Sequence, residues 1–231
     1  MPDYPWSKKK LQAVVFDMDG TLLNSGIFGV RAIQRAFRTL IDRGRLPGVT
    51  APPSPEMIKL QIGKPPGVFY KDLLPPELRA QSRDLHTETT RNELAALADG
   101  SGGLFDGAVD VLDKLKRAGL KLLLVSNCSE AYIEGVVSTF GLDRLLDYSA
   151  CVGDHPPTGR TKSALVGEGL KLVGAEVGVM VGDRVHDAEA AKDNGLWFIG
   201  CTYGYGKPEE FKDAAVKITD IRDLPKVLGI A

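Results

Sequence analysis

Three observations predict an α/β fold, a doubly wound parallel sheet with an inserted helical domain. Short apolar runs alternate with helical stretches from residue 104 onward, and several of these runs stop at carboxylates or at Ser-Asn. Residues 24–100 interrupt that alternation with helical, proline-punctuated sequence. The first run, 11–16, is apolar apart from Gln12 and reads as a buried parallel strand ending in Asp17-Met18-Asp19-Gly20-Thr21. Two carboxylates spaced i, i+2 at the mouth of such a strand repel each other and lose hydration. A cation or a hydrogen-bond network has to compensate them, and Mg²⁺ is the hard cation that suits oxygen ligands. Taken alone, Asp-Gly is also ordinary turn chemistry, with one Asp capping and the other solvated.

After Leu23 the period becomes helical: Val30, Ile33, Phe37, Leu40 and Ile41 share a face against Arg31, Arg35 and Arg38, and Gly44 closes the helix. Residues 47–55 carry four prolines and read as a linker. Ser54-Pro55-Glu56 then has the N-cap and N1-proline signature of a helix over 57–62, and 63–67 reads as a turn. A long, fairly polar helical pattern over 75–99 contains Leu78, Leu85, Leu94 and Leu97, and Gly100-Ser101-Gly102-Gly103 ends it as a flexible joint. The expected division is therefore a core of residues 1–23 and 101–231 with a helical insertion at 24–100 between two hinges. In the second half, helices are predicted at 107–117, 130–140, 162–173 and 187–194. Strands are predicted at 120–125, 148–152, 177–181 and 196–200, joined by right-handed crossovers.

The formal net charge of −1 gives no electrostatic footprint for nucleic acid or anionic lipid, and the basic run Lys8-Lys9-Lys10 is too short to change that. Cys128, Cys151 and Cys201 are odd in number, widely spaced and without a CxxC pair, which suits buried thiols in a reducing compartment. No apolar run reaches membrane-spanning length and the N-terminus lacks a signal-peptide apolar region, so the expectation is a cytoplasmic protein.

A parallel sheet brings its carboxyl-end loops to one edge, so Asp17 and Asp19, Ser126-Asn127, and Asp183 with Asp187 are expected in one pocket. Carboxylates for a metal beside hydroxyl, amide and lysine groups for an anion form a set suited to phosphoryl transfer. Through these residues the chain resembles the haloacid dehalogenase superfamily over nearly its whole length. Asp17-Met18-Asp19-Gly20-Thr21 is similar to its DxDGT motif, Ser126 to its second motif, Lys162 to its third, and Gly182-Asp183-Arg184-Val185-His186-Asp187 to its GDxxxD motif. The insertion resembles a C1-type cap. Ile62-Gly63-Lys64-Pro65-Pro66 and residues 201–206 resemble segments of phosphoglycolate-phosphatase-like members. The resemblance implies a Rossmann-like core and a Mg²⁺-dependent phosphatase acting through an aspartyl-phosphate on Asp17. Asp19 would be its acid and base, and Ser126, Asn127 and Lys162 would bind the phosphoryl group. It implies metal ligation by Asp17, the backbone carbonyl of Asp19, and Asp183, with Asp187 orienting ligands from behind. Ser163 follows Lys162 where the family typically has proline, and His155 and His186, near the motifs, are assigned no role.

A hexose-phosphate mutase of the same superfamily is an alternative, as is a phospho-Asp receiver-type signalling module. Asp19 argues against a dehalogenase, and the insertion argues against a receiver. The expected partner is a small-molecule phosphate ester such as phosphoglycolate, with no nucleic acid and no membrane, in a monomer or weak homodimer. Arg31, Arg35, Arg38, Lys59 and Lys64 are open to either reading, contact with an anionic substrate body or solvation.

Overall fold

The computed structural model describes residues 4–6, 9–153 and 160–230. Lys8 and His155 lie outside the described residues. At the centre is β1 (Ala13–Phe16), flanked by β2 (Lys121–Ser126) and β4 (Gly178–Gly182). β3 (Tyr148–Cys151), β5 (Trp197–Cys201) and β6 (Val216–Ile218) complete a six-stranded sheet in the order β3-β2-β1-β4-β5-β6. Every pair is parallel, with Phe16 level with Leu124 on one side and Val181 on the other. The sheet order reverses its direction of growth between β1 and β4, which places a crevice beyond their carboxyl ends.

The period-2 alternation of β1 sends Val14 and Phe16 to one face and Ala13 and Val15 to the other. The first pair joins a core with α5 (Ala108–Arg117), α6 (Glu130–Thr139) and α9 (Leu224–Val227). The second pair packs under α7 (Lys162–Val173) and α8 (Val185–Asp193). Both faces are covered, so the central strands β1 and β4 are buried along their whole length, while the edge strands β3 and β6 carry exposed Ser149 and Lys217.

The insertion holds α1 (Ser25–Asp42), α2 (Pro55–Lys59), α3 (Pro66–Asp72) and α4 (Ser82–Ala98), with a 3₁₀ turn at Pro76–Gln81. Its apolar residues form a third cluster of their own, including Ile33, Phe37, Leu40, Ile58, Phe69, Leu78 and Leu85. Arg31, Arg35 and Arg38 sit on the exposed face of α1, and Lys59 is also exposed. The chain leaves and re-enters the core at neighbouring points: Leu23 and Leu104 form an antiparallel bridge, and the Asn24 amide donates to the Gly103 carbonyl at 3.0 Å. The helix α4 docks on α6 at Gly135, where a Cβ would overlap the Leu94 side chain.

Three details differ from the sequence reading. The expected turn at 63–67 runs into α3, because Pro66 occupies the first helical turn, where a missing N–H costs nothing. The single helix expected over 75–99 is a 3₁₀ turn followed by α4. The short strand β6, at the sheet edge, has no counterpart among the strands expected from sequence.

Candidate active site

Asp17 follows β1 directly, and its amide donates to the Val181 carbonyl at 2.9 Å, so its position is set by the β1–β4 register. Asp183 follows β4 in the same way. Asp187 lies in the first turn of α8, and its Oδ2 accepts the Arg184 amide at 2.8 Å, a reach-back that closes the helix start. Lys162 begins α7, whose start is capped by Thr161 accepting the Ala164 amide at 3.2 Å. These four independently placed side chains converge. The Lys162 Nζ lies 2.5 Å from Asp17 Oδ1 and 2.6 Å from Asp187 Oδ1, and all three groups are buried. Asp17, Asp183 and Asp187 each bring a carboxylate oxygen to within 4.8 Å of the others.

Asp183 is held by neutral donors, the Tyr205 amide at 2.7 Å and the Thr21 hydroxyl at 3.4 Å. Glycines enclose it: a Cβ at Gly20 or Gly204 would overlap its side chain, and one at Gly206 would overlap its carbonyl oxygen. This close packing explains the glycine-rich 201–206 segment.

Burial pushes Asp17 up to about 7, assisted by the Asp187 charge and opposed by Lys162. Burial, with Asp17 and Asp187, pushes Asp183 well above the ordinary carboxylate range. Burial pulls the Lys162 ammonium down, but the two carboxylates outweigh it and hold its pKa above normal. Three buried carboxylates share one ammonium. A hard divalent cation with oxygen ligands fits the remaining charge and the donor set.

Asp19, expected beside Asp17, turns its side chain away from that cluster: its Oδ1 accepts the Tyr132 hydroxyl at 3.2 Å. Burial raises its pKa, while hydrogen bonds from Ser25 and Tyr132 lower it. Ser126 is buried at the end of β2, and the cap of α6 is supplied by Ser129, which accepts the Tyr132 amide at 3.3 Å. Ser126 therefore does not serve as that cap. Asn127 uses its amide to hold the insertion, donating to the Gly63 carbonyl at 2.9 Å. Asp17, Asp19, Ser25, Ser126, Asn127 and Tyr132 line one cleft between core and insertion, with Ile33, Ile62, Phe69 and Tyr70 opposite.

A family model described as haloacid dehalogenase-like hydrolase matches residues 11–195. The chain belongs to that family. Among relatives of this hydrolase, a phosphoglycolate phosphatase of Vibrio cholerae is 27% identical over 212 residues, covering 89% of this chain and 91% of its own. A predicted phosphatase from Clostridium acetobutylicum superposes with a TM-score of 0.77 at 20% identity, over 95% of this chain and 99% of that one. CbbY from Rhodobacter sphaeroides, solved with phosphate, gives a TM-score of 0.74 at 24% identity, over 93% of this chain and 96% of its own.

Two residues of the hydrolase's cleft carry no motif and escaped sequence reasoning. Tyr132 could have been found from its place three residues after the Ser129 cap, on the inward face of α6. Glu93 had no signal at all: α4 is polar, and only its docking shows which of its acids faces the cleft. Burial, then the Asp19 charge, pushes Glu93 well above the ordinary range.

Proposed function

We propose that this haloacid dehalogenase-like hydrolase is a Mg²⁺-dependent phosphatase of small-metabolite phosphate monoesters, working through an aspartyl-phosphate beneath a cap formed by residues 24–100. The observation that carries the reading is the bridging of Asp17 and Asp187 by buried Lys162, with Asp183 alongside. Lys162 occupies Asp17 Oδ1, so the other carboxylate oxygen is the one available to attack phosphorus. The names of the relatives support the same reaction, with phosphoglycolate as the reference ester.

Asp17 and Asp183, with the backbone carbonyl of Asp19, would hold Mg²⁺, which supplies charge neutralisation to the phosphoryl group. Asp187 supports them from behind, since Lys162 and the Arg184 amide each occupy one of its oxygens. In the first half-reaction an Asp17 oxygen bonds to phosphorus while the ester oxygen departs and takes a proton from Asp19. The raised pKa of Asp19 suits it to carry that proton. In the second half-reaction Asp19 accepts a proton from water as the water oxygen bonds to phosphorus and the Asp17–phosphorus bond breaks. The Tyr132 hydroxyl keeps the Asp19 side chain on the leaving-group side, away from the Lys162 cluster. Ser126, Asn127 and Lys162 would bind the phosphoryl oxygens; Asn127 does so on releasing Gly63, which couples cap position to phosphate binding. The hydrolytic outcome is preferred to a mutase and to a receiver module because a capped cleft with a proton carrier beside the nucleophile suits repeated ester hydrolysis.

The test is turnover of an aryl phosphate by the full chain. Activity with Mg²⁺ and none in excess EDTA is expected, with a phosphate trapped on Asp17 that survives acid quench and is removed by hydroxylamine. Undiminished turnover in EDTA, or phosphate trapped on another residue, would overturn the reading.

A further inference from the structure

We infer that Glu93 is a specificity-determining residue, selecting phosphate esters whose alcohol half presents a hydrogen-bond donor, a hydroxyl or an ammonium, and disfavouring those that present a carboxylate. This rests on the phosphatase reading above and narrows its substrate class. Glu93 comes from α4, in the roof of the cleft, and lines the space shared by Asp19, Ser25 and Tyr132. Its Oε1 lies 3.7 Å from the position a Cβ would take on Gly29, so the carboxyl rests against the α1 backbone where that helix has no side chain. The leaving group that Asp19 serves must therefore emerge beneath Glu93.

The cations that a substrate carboxylate would need are committed elsewhere. Lys162 is held between Asp17 and Asp187. Lys64 lines the cleft, but its Nζ is engaged by Gln61 at 2.6 Å and Asp72 at 2.7 Å. Arg31, Arg35 and Arg38 face solvent. A carboxylate carried by the substrate would be desolvated beside Glu93 in a poorly hydrated cleft, meeting either a like charge or a single shared proton in place of the cation it needs. A hydroxyl or ammonium would instead find an acceptor, which a carboxyl offers in either protonation state. Ile33, Ile62, Phe69 and Tyr70 supply the apolar remainder, and the His86 imidazole, which also lines the cleft, is stacked on Tyr70 with ring centroids 4.6 Å apart.

The experiment compares kcat/KM for glycerol phosphate, aminoethyl phosphate, phosphoglycolate and an aryl phosphate, with Mg²⁺, in the native protein, Glu93→Gln and Glu93→Leu. The readout is the ratio between esters, in which general losses cancel. The native protein is expected to favour at least one of the two donor-bearing esters over phosphoglycolate by about tenfold or more, the scale of a mismatched polar contact. Glu93→Leu should reduce that ratio to near unity. Glu93→Gln separates the two donors: it keeps a preference for glycerol phosphate if hydroxyl is recognised and loses a preference for aminoethyl phosphate if ammonium is. A native preference for phosphoglycolate overturns the inference, whether or not the variants fold. So do ratios unchanged in both variants. Turnover of the aryl phosphate with no discrimination by Glu93 defeats the inference alone, whereas no turnover of any ester defeats the phosphatase reading and this inference with it.

Discussion

At the floor of the cleft, Asp17, Asp183 and Asp187 gather round one lysine at the ends of strands and the starts of helices, all buried and held by backbone-anchored bonds. The roof is arranged differently. Its helices pack on their own apolar cluster, its arginines point to solvent, and its one acid in the cleft, Glu93, lies beside α1 at Gly29. The floor concentrates charge where rigid elements meet, which suits a reaction that must be repeated identically. The roof presents an apolar surface of Ile33, Ile62, Phe69 and Tyr70 interrupted by a few polar groups, Glu93 the acid among them, which suits discrimination between alcohol halves.

If that division holds, a change at the floor should remove activity without loss of fold. Asp17→Asn is expected to lower turnover of an aryl phosphate by about a thousandfold or more, since it would remove the proposed nucleophile. The melting temperature of the metal-free variant should not fall, because a carboxylate that burial and Asp187 disfavour has gone. Residual turnover above one per cent, on the order of what a merely positioning group leaves, would move the nucleophile elsewhere.

The floor should also respond to metal in a pH-dependent way. With its folded pKa raised from 3.8 to about 7, Asp17 holds a proton more tightly when folded, so its contribution to stability is present at acid pH and lost as pH rises through 7. Metal-free protein should therefore lose stability over that window. Mg²⁺ at a hundredfold excess over its Kd should restore about 2.7 kcal/mol at pH 8 and less at pH 5.5, where protons compete for the same oxygens. Equal thermal shifts at both pH values would show that the ion binds outside the carboxylate cluster.

Gly206→Ala is expected to cost about 1–3 kcal/mol by chemical denaturation, since the added Cβ overlaps the Asp183 carbonyl oxygen and forces backbone to move. A neutral result would mean that the 201–206 segment is looser than its packing on Asp183 indicates. The smallest effect belongs to the roof's outer face: Arg35→Gln should leave kcat/KM for every ester within about twofold, as for an exposed residue away from special features. A selective loss on anionic esters would bring that face into substrate recognition.

Much of the floor was legible in sequence because its signals are local. An apolar run ending in Asp17-Met18-Asp19 and another ending in Gly182-Asp183 each announce a buried strand and the chemistry at its mouth, and parallel pairing brings the two together. The roof was legible as helices but not as a surface. Amphipathicity placed Ile33 and Phe37 inward and left the arginine stripe undecided, and the structure puts those arginines outward. Which residues face Asp19 depends on how α4 docks against α6 at Gly135, a contact between segments some forty positions apart with no periodic signature. The helix α3 was hidden for a local reason: a Pro-Pro pair serves equally as turn chemistry or as a helix start.

The antiparallel bridge between Leu23 and Leu104 has an architectural consequence. Because the Asn24 amide meets the Gly103 carbonyl and the Phe105 amide meets the Leu22 carbonyl at 2.9 Å, the four intervening helices hang from a neck whose two sides already lie a strand spacing apart. A tight turn of two or three residues is long enough to join those sides directly. The roof is thus an interchangeable fitting: a different lid, or none, could be grafted at the neck without altering the path of any strand that carries the reacting groups.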